Sequence, residues 1–196
     1  MSNTLSTNFF ASASITSSNT TRISESMSRK VHRRSVGGQH WMITLDSKNL
    51  DRSELGQLYA FLVKQQGSFA NFFVIPPIYS STASTNASGT PTVTATFAAG
   101  QSQVRSQGGS GSLKAGDYIK FSNHDKVYML TADVDQDASS EDYLDIAPPL
   151  TTAITNSTTV IYNNVPFKVY LTNDRTAFKT NTDGTSRIQI TVREDI

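Results

Sequence analysis

The sequence predicts a mainly β chain with a single flanking helix. Three observations carry that expectation. Charged residues make up 17% of the 196 residues, against about 25% in an ordinary soluble domain, and Ser, Thr and Asn fill the gap. Thr suits a pleated sheet through its β-branch, while Ser and Asn suit turns. Short apolar/polar alternations recur between Gly, Asp and Asn turn signals at spacings of about 8–12 residues, the pattern of a small barrel or sandwich. One stretch alone, residues 51–66, has a helical period with signals at both ends. At 21.4 kDa the chain is long enough for one good-sized domain or two small ones.

Taken in order, residues 1–21 are Ser/Thr/Asn-rich and uncharged, too poor in apolar groups to build a core. They read as an extended arm that docks Phe9 and Phe10 on a neighbour. Residues 22–45 read as a long hairpin that reverses at Gly37-Gly38, with Ile23, Met27 and Val31 on the outgoing strand and Trp41, Ile43 and Leu45 on the return. In the helix, Asp51 and Glu54 form a capping box, and Leu50 and Leu55 are spaced for a hydrophobic staple. Leu55, Leu58, Tyr59 and Leu62 make one apolar stripe, and Gly67 stands where a helix-ending positive φ belongs. Residues 69–75 read as a buried strand that Pro76-Pro77 stops.

Composition shifts at residues 80–91, a low-complexity linker. Six short strand candidates follow: PTVTATF, SQVRSQ, DYIKFSN, KVYMLTADV, YLDIAPPL and TTVIYN. The glycines of QGGSGS (108–111) read as a flexible hairpin tip. Near the C-terminus, VPFKVYLTN and SRIQITVRE alternate cleanly around an NTDG turn at Asn181–Gly184. These last strands need partners, and the hairpin and the 69–75 strand are the candidates. The expected organisation is therefore an N-terminal arm at 1–21, a β domain from 22–79 and 164–196, and an inserted small barrel at 80–163.

Little in the chain points to chemistry. It has no cysteine, which excludes disulfides, thiolate nucleophiles and cysteine-based metal sites. The net charge of +1 gives no global field to recruit nucleic acid or a membrane surface. No apolar run approaches the ~20 residues that span a bilayer, and no secretory leader pattern is present, so synthesis and folding in a cytosol are expected. His32 and His40 flank Gly37-Gly38 without an accompanying carboxylate cluster, and His124 reads as structural. DVDQD at 133–137 starts like a calcium loop but lacks its later Gly and Glu, so it reads as a solvated loop. No catalytic, cofactor-binding or metal-binding residue is assigned, and no enzyme is expected. The basic run Arg29, Lys30, His32, Arg33, Arg34 reads as a solvated or subunit-contacting strand, since interleaved aromatics are missing.

Residues 22–77 carry a Ser/Arg-rich strand, GGQHW, an acid-capped helix and LYAFLVKQQGSFANFFVIPP. This order resembles the distal tail proteins of long-tailed phages. LKAGDYIKFSNHDKVYMLTADV, within residues 113–150, is similar to segments common in phage tail and virion proteins. The resemblance implies a split β-barrel of the tail-tube type with one flanking α-helix. It further implies an inserted small β-barrel, which in some relatives is of the oligonucleotide/oligosaccharide-binding (OB-like) kind. It implies a hexameric homo-oligomeric ring at the distal tail end, assembled in the host cytoplasm. Such a ring joins a tail tube protein to a baseplate hub protein, and DNA passes its lumen without specific binding. Phe9, Phe10, Arg29, Arg33, Arg34 and Trp41 are then the candidate subunit-interface residues. Two alternatives stand beside this: a tail tube or tube-initiator protein, and a carbohydrate-binding adhesion module with Trp41, Tyr118 or Tyr128 as stacking platforms.

Overall fold

A computed structural model of the protein describes residues 3–79, 81–175, 177–180 and 184–196. The chain runs through β1 (Thr4–Leu5), β2 (Phe10–Glu25), β3 (Val31–Ser47), α1 (Arg52–Lys64), β4 (Asn71–Val74), β5 (Ser88–Val93), β6 (Gln103–Leu113), β7 (Tyr118–Phe121) and β8 (Val127–Leu130). It continues through β9 (Val134–Gln136), β10 (Asp142–Ala147), β11 (Val160–Ile161), β12 (Phe167–Leu171), β13 (Lys179–Thr180), β14 (Ser186–Arg187) and β15 (Gln189–Glu194). The protein is mainly β with one α-helix, as its sequence predicts.

One sheet, in the order β1-β4-β12-β15-β3-β2, is made from both ends of the chain. Its core face follows the alternation read from sequence: Ile43 pairs with Ile15 on one side and Val192 on the other, and Leu45 pairs with Ala13 and Ile190. Against it lies α1, whose capping box is formed as expected, with Glu54 N donating to Asp51 Oδ1 at 2.8 Å and Asp51 N donating to Glu54 Oε2 at 3.3 Å. Leu55, Leu58 and Leu62 are buried in the same cluster as Ile43, Phe72 and Phe167. Gly67 takes φ +69°.

The second sheet is built from the middle of the chain in the order β11-β7-β8-β10-β6-β5, with β9 also paired to β6. Its two ends meet through Val93 N to Thr158 O at 2.8 Å and Ser157 N to Val93 O at 2.8 Å. The sheet thereby closes nearly into a barrel around Val104, Leu113, Ile119, Phe121 and Tyr128.

Three local expectations are corrected. The expected arm at 1–21 is part of the sheet: β2 pairs with β3 along its length, and Phe10 lies opposite Ser47. The hairpin reverses at residues 26–30, not at Gly37-Gly38. There Arg29 takes φ +60°, Arg29 N donates to Ser26 O at 2.8 Å, and Ser26 N donates to Lys30 O at 3.0 Å. Gly37 and Gly38 lie inside β3, where the register shifts around Thr20. Their positive φ of +80° and +73° accommodates a bulge rather than a turn, two uses of Gly that a sequence alone does not separate.

The third correction concerns Gly108, Gly109 and Gly111, which sit within β6 and not at a tip. A Cβ on Gly111 would collide with the backbone of Asn86, and one on Gly109 would come within 2.5 Å of the Gln136 side chain. Gly111 lets the Asn86 backbone cross close over the strand, and Gly109 makes room for the Gln136 side chain. The expected NTDG turn falls on residues 181–183, outside the described residues.

Candidate assembly surfaces

The two sheets are joined by a buried polar knot at the root of the β2–β3 hairpin. Lys126, just before β8, is 1% exposed, and Glu194 at the end of β15 is 2% exposed. Lys126 Nζ donates to Glu194 Oε2 at 2.5 Å, to Gln39 Oε1 at 2.6 Å and to Gln39 O at 3.2 Å. Glu194 also accepts from Trp41 N at 3.1 Å and Val127 N at 2.9 Å. Trp41 Nε1 donates to Val127 O at 2.8 Å, and its ring lies beneath the Lys126 ammonium at 5.8 Å. Burial pulls the Lys126 pKa below the usual lysine value, and the Glu194 carboxylate opposes that pull.

Opposite its core, the first sheet carries mostly hydroxyl and amide groups. Ser14, Thr44 and Thr191 lie in one cross-strand row, with the Thr44 and Thr191 hydroxyls 3.4 Å apart. In the next row Asp46 accepts from Ser12 Oγ at 3.2 Å and Gln189 Nε2 at 2.7 Å. This is a wettable face of low charge. Its lateral edges are β1 and β2, each paired on one side only.

Beyond Ser18 the hairpin leaves the core and every described side chain from Asn19 to Gly38 is exposed. Ile23 is 64% and Val36 60% exposed, and Met27 at the tip touches nothing that covers it. Arg22 stands directly opposite Arg34, Ile23 opposite Arg33 and Ser24 opposite His32. A shallow concavity of about 650 Å³ lies along this arm, lined by Arg22, Ile23, Arg34 and Val36 among others.

Of the interface candidates read from sequence, Arg29, Arg33 and Arg34 are exposed on this arm. Phe9 is half-buried against the first core, Phe10 is buried in it, and Trp41 is 4% exposed within the knot. Phe10 and Trp41 are thus consumed by the chain's own packing, because β2 is a strand of this sheet and not a free arm.

His32 and His40 do not converge. His40 is buried beside Arg193 at 3.5 Å, and His32 is exposed on the arm. His124 joins Tyr128 Oη at 2.8 Å and Asn123 Oδ1 at 2.7 Å, and burial holds its pKa down. Tyr128 is fully buried and Tyr118 is wedged between Trp41, Tyr79 and Phe167, its pKa pushed up to about 12 by burial and then by Tyr79. Neither tyrosine is a stacking platform. The exposed ring of the inserted strands is Tyr143, which no sequence signal singled out.

DVDQD, expected to be a solvated loop, is centred on β9 with Val134 and Gln136 buried, while Asp133 pairs with Lys114 at 2.9 Å and Asp137 Oδ1 accepts from Ser139 N and Oγ. Among the described residues no group of three His, Cys, Asp or Glu is placed to hold a metal ion. Among the described residues no helix is long and apolar enough to cross a membrane.

Two packed β-sheets, a polar knot between them and a bare projecting hairpin make up this mainly β protein. Residues 83–165, which span the second sheet, match the family model for the B domain of distal tail protein pb9. That match supports the phage distal tail protein family, and with it a structural component of a phage tail. No curated protein matches the chain.

Proposed function

We propose that the chain forms a ring, six copies in one layer, at the distal end of a phage tail, joining the tail tube to the baseplate or tail-tip hub. Residues 80–163 form an inserted unit carried on its outside. The observation that carries this reading is β2: a 16-residue strand at the edge of its sheet, continued into an arm with uncovered apolar groups. A long bare edge of this kind invites pairing with another chain. Cyclic closure through identical copies satisfies every edge at once, which an isolated subunit cannot do. In such a ring the hydroxyl-rich face turns to the lumen. Its few charges, Asp46, Arg193 and Lys168 among them, give DNA a wet wall without a run of cations to hold it.

Native mass spectrometry and negative-stain imaging of the purified protein test this directly. Closed six-fold particles are expected. A chain that stays monomeric at every protein concentration, or that stacks only into long multilayer tubes, refutes the single-ring reading.

A further inference from the structure

The projecting hairpin carries Arg22, Arg29, Lys30, Arg33 and Arg34 against one carboxylate, Glu25, a net charge of +4. Among the described residues none of these five cations has an ion-pair partner. Arg22 and Arg34 face each other across the two strands, an arrangement that destabilises a ladder unless an anion is shared between them. The arm therefore presents cations that the described residues leave unpaired.

Residues 80–163 carry the reciprocal imbalance, with four Lys and Arg against eight Asp and Glu, a net charge of −4. The excess is concentrated around β9 and the start of β10. Among the described residues Asp135, Asp137 and Asp142 have no cation within 4.0 Å, and they lie next to Asp133 and Glu141, which pair with Lys114 and Arg105. Desolvation lifts the Asp142 pKa above the usual carboxylate value, Asp137 N opposes that by donating to Asp142 Oδ2 at 3.3 Å, and the Asp137 carboxylate adds a smaller upward push. A facing cation would favour the ionised form of these carboxylates.

We infer that the hairpin arm of one copy docks on the Asp135–Asp142 rim of the inserted unit of a neighbouring copy. The inference rests on the ring reading and supplies its contact. The arm and the rim are different patches, so the contact is head-to-tail, the type that closes rings. Equal and opposite charge on two parts of one chain guarantees their stoichiometry in a homo-oligomer and leaves the chain near neutrality overall. Duplex DNA is the less suitable occupant. The arm has no Phe, Tyr or Trp to stack on bases, and Ile23, Val31 and Val36 need an apolar neighbour that a phosphate backbone does not offer.

The test uses Lys30→Glu with Arg33→Glu on the arm, Asp135→Lys with Asp137→Lys on the rim, and all four together. All substituted residues are exposed, so circular dichroism should match the parent. Self-association is followed by analytical ultracentrifugation at about 50 mM and about 500 mM salt, where screening is weak and strong. Each reversed pair is expected to weaken assembly about tenfold or more at low salt, and the fourfold variant to restore it. High salt should weaken the parent in the same direction.

Assembly indifferent to both reversals overturns the contact and leaves the ring standing. Weakening by both without restoration overturns the pairing of arm with rim. Restoration within species that image as dimers sinks the ring and keeps the contact. Loss of duplex-DNA binding on the arm variant, with assembly untouched, reassigns the arm and overturns the inference.

Discussion

The knot around Glu194 provides the sharpest stability prediction. Glu194→Ala removes a carboxylate that accepts from Lys126 Nζ, Trp41 N and Val127 N. Two buried backbone donors are then orphaned, at about 1–3 kcal/mol each. The Lys126 ammonium keeps only Gln39 as its acceptor. Breaking a buried ion pair from one side costs about 3–5 kcal/mol, and the two routes agree on about 4. Lys126→Met should cost less, because Glu194 retains both backbone donors. The double variant Lys126→Met/Glu194→Gln should cost less than the sum of its singles.

The pH dependence follows from the direction of the Lys126 shift. Its folded-state pKa lies below the unfolded value because of burial, so the unfolded chain binds more protons between the two values and stability rises with pH across that window. Removing Glu194 deletes the opposing pull and widens the window downward. The Glu194→Ala penalty should therefore shrink as pH rises towards the ordinary lysine pKa. Urea midpoints read by Trp41, the sole tryptophan, measure this. A loss under about 1 kcal/mol, or one that grows with pH, refutes the reasoning.

Two further outcomes are expected. Gly111→Ala should destabilise by about 2 kcal/mol or more, since φ is +84° and the new methyl meets the backbone of Asn86; Gly116→Ala, also at positive φ (+97°) but with open space around it, should cost less in the same urea titration. Asp174 accepts from Ser68 Oγ at 2.6 Å and Ser68 N at 2.9 Å, which hold its carboxyl below the usual range. Its folded pKa is thus depressed, so its contribution is present above the unfolded carboxylate pKa and lost as pH falls through the folded one. Asp174→Asn should flatten that part of the acid limb of a stability-versus-pH curve, and an unchanged limb would count against it.

Where a segment buries a face, its sequence reveals its structure. The helix was legible to its capping box because Asp51, Glu54 and the Leu55/Leu58/Leu62 stripe each state a local requirement. Strands β12 and β15 were legible because alternate residues enter the core. The arm defeats the same method. A hairpin is legible there from Ile23, Met27 and Val31, but from Asn19 to Gly38 nothing is buried, so no core fixes where it reverses and the turn is misplaced to Gly37-Gly38. β2 is recognisable only from β3, the strand it pairs with. The knot was equally invisible, since Gln39, Lys126 and Glu194 are 68 to 87 residues apart where they meet and each reads singly as a surface polar residue.

The same reasoning explains why the arm's composition looks poor for a strand. A segment whose apolar and cationic groups are satisfied by another molecule has to stay soluble before that molecule arrives. Ile23, Val31 and Val36 are therefore spaced among arginines and serines, and mutual repulsion between Arg22 and Arg34 discourages the bare edge from pairing with whatever strand it meets first. Gly37 and Gly38 mark the point where β3 leaves its own core, and the bulge they permit bends the strand as the arm leaves the sheet. Replacing both by Val would straighten that exit while leaving the buried rows from Trp41 to Leu45 intact. Assembly, and not folding, is the property such a change should damage.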